Sequence, residues 1–472
     1  MPLTHPANAG RPERRAGADL AINPLFSREP MRVPRDELPA LGMDPELAYQ
    51  ITHDELMLDG NARLNLATFV TTWMEPQAAR LMSDCFDKNM IDKDEYPRTA
   101  ELEERCVRML AKLWHAPDPE GTVGCSTTGS SEACMLAGLA LKRRWRNARR
   151  AAGRPEDRPN LVMGINVQIC WEKFCEFWEV EPRYVPMDGD RFTLSAEEAV
   201  KLVDENTIGV VAILGSIFDG AYEPVAQVCA ALDDLRERTG LDVPVHVDGA
   251  SGAMIAPFLD PELPWDFRLP RVASINTSGH KYGLVYPGVG WVVWREAAAL
   301  PEELVFRVNY LGGDMPTFAL NFSRPGAQVV AQYYNFIRLG FDGYRLAQQH
   351  CRDVATHLAG EIAALGPFRL LTDGSQLPVF ACALRDEVTG YSVFDVSAAL
   401  RESGWLVPAY TFPPNRTDLS VLRFVVRNGF SRDLAEMLLS DLRRALPRLS
   451  AQSTPTRGPE SAAFSHGTTT PT

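Results

Sequence analysis

Ser278-Gly279-His280-Lys281-Tyr282-Gly283 sets a lysine in a glycine-bounded turn between two apolar runs. Arg271-Val272-Ala273-Ser274-Ile275-Asn276-Thr277 precedes it, and Gly288-Val289-Gly290-Trp291-Val292-Val293-Trp294 follows. Both flanks have the composition of buried strands. Stability rarely calls for a lysine in such a place. Burial lowers its pKa and leaves a neutral amine that can form an imine with an aldehyde. The same pattern also fits an ordinary glycine-flanked loop, and this segment alone does not choose between the two.

Thirty-three residues earlier (281 − 248 = 33) the chain reads Val243-Pro244-Val245-His246-Val247-Asp248-Gly249-Ala250-Ser251-Gly252. The pattern predicts a short apolar strand that ends in an aspartate and a tight turn. A carboxylate at the C-terminal end of a strand reaches the crevice where α/β sheets bind ligands. Facing a pyridine nitrogen, it would keep that nitrogen protonated, and Ala250 is small enough for a flat ring to lie against. An aspartate opening a plain turn fits the same residues.

Further upstream, Thr127-Thr128-Gly129-Ser130-Ser131-Glu132-Ala133-Cys134-Met135-Leu136 places glycine and two serines before a helical run that continues through Leu141. Unpaired N–H groups and the dipole at a helix start favour an anion, and the hydroxyls add donors suited to a phosphate. A serine N-cap with a nearby glutamate is the other reading.

Phosphate cradle, then aspartate, then lysine is the order of fold-type I enzymes that use pyridoxal 5'-phosphate (PLP). Within them the chain resembles the glutamate decarboxylase family of bacterial and plant type, a group II decarboxylase family. The resemblance rests on Gly129–Leu136, Val167-Gln168-Ile169-Cys170-Trp171, Trp265–Arg271, Ser278–Leu284, Tyr310-Leu311-Gly312-Gly313 and Asn321–Pro325, and runs from about Pro24 to Leu449. It implies an α/β fold, with a mainly parallel seven-stranded sheet in a large domain and a smaller α+β C-terminal domain. It implies decarboxylation of L-glutamate to 4-aminobutyrate and carbon dioxide. Lys281 would hold PLP as an imine and Asp248 would pair with its ring nitrogen. Ser130, Ser131, Ser278 and His280 would bind its phosphate, and Ser323 would reach the phosphate of a neighbouring subunit. Gln168 and Ala250 would lie on either face of the ring. The distal carboxylate of the substrate would meet Thr68, Phe69, Asn89 and Asp92, and Arg423 would take its α-carboxylate. An aspartate beside a carboxylate requires a shared proton, which favours activity at acidic pH. The resemblance further implies a homo-oligomer, a dimer at least and up to a hexamer.

One position departs from the family. Leu214-Gly215-Ser216-Ile217-Phe218-Asp219-Gly220 aligns with a stretch that carries threonine near the cofactor, where this chain has Ile217. An unpaired buried partner would cost about 1–3 kcal/mol, and Ser216 is the neighbour that could compensate. The departure leaves open a decarboxylase of another amino acid, aspartate or an aromatic one. A catalytically silent PLP-fold scaffold is the alternative from a different class, and the intact Lys281 and Asp248 argue against it.

Composition agrees with a soluble enzyme. The 472 residues exceed one small core, and 45% are hydrophobic and 23% charged. A net charge of −13 argues against nucleic acid as the main partner. The basic run Lys142–Arg150 falls at the end of the helix that starts near Ser130, where cations suit the dipole. The nine cysteines show no CxxC pair and the eight histidines no HExxH spacing, so reduced thiols in the cytoplasm are expected and a metal is not. Cys170 and Cys175 read as packing residues. No apolar run approaches the length of a membrane span, and no apolar segment follows Arg11, Arg14 and Arg15 to make an export signal.

The expected organisation is an N-terminal arm over 1–59, with its first 22 residues disordered, a large domain over 60–340, a small domain over 341–449, and a flexible tail over 450–472. Strands are expected at Asn160–Ile165, Gly209–Leu214, Val243–Val247, Val272–Asn276, Val289–Trp294, Val379–Ala383 and Leu422–Val426. Helices are expected at Glu197–Asp204, Ala226–Arg238 and Arg432–Leu446. The tail lacks the basic amphipathic character of a calmodulin target. Phe464-Ser465-His466 is similar to the segment with which some bacterial family members close their site at neutral pH, which makes His466 a regulatory candidate. Six residues follow it here, where the family stops almost at once.

Overall fold

The computed structural model describes residues 36–308, 315–452 and 454–458. The chain divides into two units, residues 1–60 and 61–472. In the first unit, the described helix is α1 (Pro45–Leu56). Asp44 caps it by accepting from the Glu46 and Leu47 N–H groups, and Pro45 occupies its first position.

The second unit alternates helices and strands: α2 (Pro76–Ser83), α3 (Pro97–Leu113), β1 (Val123–Thr127), α4 (Ser130–Ala151), β2 (Asn160–Gly164), α5 (Ile169–Phe177), β3 (Glu181–Val185), α6 (Ala196–Lys201), β4 (Thr207–Ile213), α7 (Val225–Thr239), β5 (Val245–Asp248), α8 (Ala256–Leu259), β6 (Val272–Thr277) and β7 (Gly290–Trp294). Their strands form a seven-stranded sheet of order β1-β7-β6-β5-β4-β2-β3. Neighbours from β6 to β3 pair in parallel, while β7 runs antiparallel to both β6 and β1. Strand β1 therefore points the same way as β6, and β1, β2, β4, β5 and β6 all end on one edge of the sheet. Every residue of β2, β4, β5, β6 and β7 is buried, as helices on both faces of a parallel sheet require.

After a short hairpin, β8 (Phe306–Val308) and β9 (Met315–Thr317), comes the long helix α9 (Ala327–Ala364). Gly340, at φ 59° and ψ −171°, breaks it into two. A second sheet follows from β10 (Phe368–Leu370), β11 (Val379–Leu384), β12 (Ala409–Thr411) and β13 (Ser420–Val425), antiparallel in the order β10-β11-β13-β12. Helices α10 (Val393–Glu402) and α11 (Arg432–Ser450) pack with it around their own apolar cluster of Phe380, Cys382, Leu422, Phe424, Leu438 and Leu442. Ser392 and Asp395 form a capping box at the start of α10.

The expected strands all occur, within two residues at either end. The basic run at the end of α4 is paired as well as dipole-compatible: Arg146 meets Glu303 at 3.0 Å, and Arg150 meets Glu156 at 2.5 Å. Among the described residues, no helix is long and apolar enough to cross a membrane.

Candidate active site

Five strand-end loops on the shared edge enclose a cavity of about 280 Å3. Thr128–Glu132 follow β1, Asn166, Gln168 and Cys170 follow β2, Gly215 and Ile217 follow β4, Ala250 and Ser251 follow β5, and Ser278, His280 and Lys281 follow β6. This is the crevice beyond the carboxyl ends of the strands where such sheets take their ligands.

One end of the cavity is built for an anion. Gly129 precedes α4 and supplies no side-chain cap, so the capping reading of the serines does not hold. Ser130 and Ser131 lie in the first helical turn, with the unpaired N–H groups. The Ser278 hydroxyl bonds that of Ser130 at 2.8 Å. His280 Nδ1 accepts from the Val289 N–H at 3.2 Å, which assigns its proton to Nε2. Burial and the adjacent Lys281 push its pKa down to about 4, so it serves as a neutral donor. A Cβ on Gly129 would lie 2.9 Å from the His280 ring, so only glycine lets ring and helix start approach. Glu132 also lines this end, but its carboxylate is engaged by the Thr128 N–H and hydroxyl and by Asn321.

The same cavity holds a carboxylate that suits a protonated ring nitrogen. Asp248, 5% exposed, ends β5 as expected. Its Oδ2 accepts from Trp171 Nε1 at 2.9 Å, and its Oδ1 from Asn276 Nδ2 at 3.2 Å and the Ala250 N–H at 3.1 Å. Behind it, His246 touches Asn276 Oδ1 and Ser274 Oγ at 2.8 Å each, and burial lowers its pKa to about 4. Trp171 and Asn276, which fix the carboxylate, were not singled out from sequence. Their signal was polar donors inside otherwise apolar segments.

Lys281 lines this cavity too. Burial lowers the pKa of its amine, partly offset by Asp248. Its turn is tied down by Thr71, whose N–H donates to the His280 carbonyl and whose hydroxyl donates to that of Lys281. The Lys281 ammonium nitrogen sits 5.2 Å from the centre of the Phe69 ring, and the Arg423 guanidinium sits 5.1 Å from that same centre. Arg423 donates to the carbonyls of Ala67 and Ile217, and its buried Nε has no partner. Arg427 clamps the loop that carries Thr68 and Phe69 by donating to the carbonyls of Ala62, Asn65 and Thr68 and to the Thr72 hydroxyl. The Thr68 hydroxyl accepts from the Val70 N–H.

Six expected residues are outside the wall of the Lys281 cavity: Thr68, Phe69, Asn89, Asp92, Arg423 and Ser323, the last of which was expected to serve a neighbouring subunit. Asn89 Nδ2 donates to Ser323 Oγ at 3.2 Å, and Asn89 Oδ1 accepts from the Arg324 N–H at 3.1 Å. Arg324 is buried and paired with Glu103, so this patch is held firmly with Ser323 exposed on it. Gln168 lines the cavity but caps α5 through the Cys170 N–H. Ile217 lines the cavity too. Ser216 does not compensate for it: Ser216 is fully buried, outside the wall, and its hydroxyl accepts from the Phe218 N–H. Cys170 is a wall residue and not only packing. Tyr310–Gly313 and His466 lie outside the described residues.

An anion cradle, a fixed carboxylate and a buried amine arranged around one cavity fit the phosphate, ring nitrogen and aldehyde of PLP. Comparison with known proteins gives the same answer. The conserved domain of pyridoxal-dependent decarboxylases matches residues 37–382. A glutamate decarboxylase of Aliivibrio fischeri is 53% identical, over 99% of this chain and 100% of its own. One from Petunia hybrida is 51% identical, over 92% of this chain and 87% of its own. The solved glutamate decarboxylase of Lactobacillus brevis superposes with a TM-score of 0.86 at 48% identity, covering 89% of this chain and 96% of its own. Order of motifs, geometry of the cavity and similarity along the whole chain agree: this protein belongs to the pyridoxal-dependent decarboxylase family, and PLP is its cofactor.

Proposed function

We propose that this protein converts L-glutamate to 4-aminobutyrate and carbon dioxide. The carrying observation is the pair of nitrogen-bearing side chains on the Phe69 ring. Lys281 lies on the cofactor side, and Arg423 presents a buried, unpartnered Nε. A planar guanidinium suits an α-carboxylate, which it would hold beside the amine.

When bound, PLP supplies an electron sink for the carbon that loses its carboxylate. Asp248 keeps a proton on the ring nitrogen, and Trp171 and Asn276 keep that carboxylate in place. Ser130, Ser131, Ser278 and His280 hold the phosphate by donation. Gln168 and Ala250, both in the cavity wall, would bound the ring. Lys281 Nζ, whose pKa burial lowers, would take and return a proton. Phe69, Ile213 and Ile217 keep water from the reacting carbon.

Thr68 and the Phe69 backbone, with Asn89 and Asp92, are assigned to the distal carboxylate. Since Asn89 is bonded to Ser323, which matches a cross-subunit phosphate contact, and neither lines this chain's own cavity, we assign Asn89, Asp92 and Ser323 to the site of a second copy. The working unit is then a dimer at least, and a hexamer is compatible with it. Nine free cysteines support a reducing, cytoplasmic location.

Carbon dioxide release from a panel of amino acids, with and without added PLP, from acidic to neutral pH, tests the assignment. Glutamate should exceed aspartate and the aromatic amino acids by orders of magnitude. Preference for another substrate would favour the second reading, which Ile217 in the cavity wall supports. PLP bound with no carbon dioxide from any amino acid would end both.

A further inference from the structure

The sulfur atoms of Cys134 and Cys170 and a carboxylate oxygen of Asp248 lie within 4.8 Å of one another. Cys134 Sγ is 3.7 Å from Asp248 Oδ2. The three residues come from α4, α5 and β5 and are 0%, 4% and 5% exposed, so no sequence spacing announces them. From this triad we propose that the cofactor-free protein holds a soft divalent cation, zinc or cadmium, on Cys134, Cys170 and Asp248, and that this ion and PLP exclude each other.

The geometry suits such an ion. Metal–sulfur bonds of about 2.3 Å and metal–oxygen bonds of about 2.0–2.2 Å put the ligand atoms of a tetrahedral site roughly 3.5 Å apart. Two thiols select a soft ion over magnesium or calcium. Trp171 and Asn276 already orient the carboxylate through hydrogen bonds, as outer partners do in metal sites. Cys170 and Asp248 line the cavity, which provides the entry path and leaves a fourth position for water. Lys281 shares this corner, and its burial favours the uncharged amine.

Binding needs no oxidant. Each thiol gives one proton to solvent, and the ion gains two thiolates and one carboxylate. Because burial raises the Cys134 thiol well above its ordinary value, binding should tighten as pH rises. Exclusion follows because Asp248 cannot ligate an ion and hold the ring proton at once. That half rests on the role proposed for Asp248, whereas ion binding itself does not.

The test uses the full-length protein, freed of PLP, titrated with cadmium and then zinc. Expected are one ion per chain, a cadmium–thiolate charge-transfer band, release of two protons, and re-loading with PLP slowed in proportion to bound ion. Cys134→Ser and Cys170→Ser should each weaken binding at least tenfold, with far-ultraviolet circular dichroism confirming the fold, while Cys125→Ser should not. No binding, binding without proton release, or binding indifferent to both serine variants would overturn the site. Ion bound with PLP loading unaffected would leave the site standing and sink the exclusion, and with it the role given to Asp248.

Discussion

The Lys281 cavity and the Asn89–Ser323 patch are both assigned to one reaction, but they are built differently. The wall of the cavity comes from one chain: five strand ends carry the proposed anion cradle, ring carboxylate and amine. The patch is anchored too, through buried Arg324 and its partner Glu103, yet Asn89 and Ser323 do not line the cavity of their own chain. On the proposed assignment, the chemistry would lie in the protomer and part of the selectivity in the assembly. Substitutions in the cavity should then lower kcat whatever the substrate, and those in the patch should change which substrate is preferred.

The largest effect is expected from Lys281→Ala. Among the described residues the Lys281 side chain makes no hydrogen bond, so the variant should fold and lose on the order of a thousandfold in turnover. Undiminished carbon dioxide release would break the cavity half of the comparison. Asp248→Ala comes next, with a loss of several kcal/mol of transition-state stabilisation, visible in kcat more than KM. It also strands the Trp171 and Asn276 donors, each worth about 1–3 kcal/mol, so Asp248→Asn is the control that keeps an acceptor. An effect confined to KM would remove Asp248 from the chemistry.

Asn89→Ala should change the ratio of rates on glutamate and competing amino acids by about tenfold, the size of one hydrogen bond to a charged group. Mixing decides where Asn89 acts. Hybrids of Lys281→Ala and Asn89→Ala chains contain one site with both Lys281 and the neighbour's Asn89. Recovery of glutamate-selective turnover in the hybrid supports the shared site. A hybrid that stays unselective, or a fully active monomer by light scattering, places Asn89 within its own chain's site and dissolves the contrast. A several-fold effect is expected from deleting residues 464–472: a rise in activity near neutral pH with acidic activity unchanged. Neutral His466 could enter an apolar site, whereas the protonated form would have to shed its hydration first. Superimposable pH profiles would show that the tail plays no part.

What could be read from the sequence follows burial. The central strands β2, β4, β5, β6, β7, β11 and β13 announce themselves as apolar runs because both faces are covered or the inner face is dense. The strands not anticipated, β1, β3, β8, β9, β10 and β12, are all sheet edges. β3 shows why: Glu181-Pro182-Arg183 is exposed or half-buried, and an edge tolerates proline and charge that hide its pattern. At the site, Lys281, Asp248 and the Ser130 turn were legible because each has a local chemical reason to stand where it does. Arg427, Trp171, Asn276 and the Cys134–Cys170 pair were not, since their roles arise only when distant segments meet. Ser216 misled for the reverse reason: adjacency in sequence to Ile217 says nothing of the side on which its hydroxyl lies.

Ile217→Thr should give the smallest and most diagnostic effect. The two side chains share β-branching, so the backbone carbonyl that holds Arg423 should stay put. The smaller threonine loses some packing, which costs about the 0.5–1.5 kcal/mol of an Ile→Val change and lowers the thermal midpoint. If a cofactor atom waits unpaired opposite this position, the new hydroxyl restores about 1 kcal/mol, and PLP should dissociate roughly fivefold more slowly on dialysis. The two readouts therefore move in opposite directions if Ile217 replaces a cofactor contact. A lower midpoint together with faster PLP loss would mean that the hydroxyl finds no partner, and that Ile217 is in the wall to exclude water.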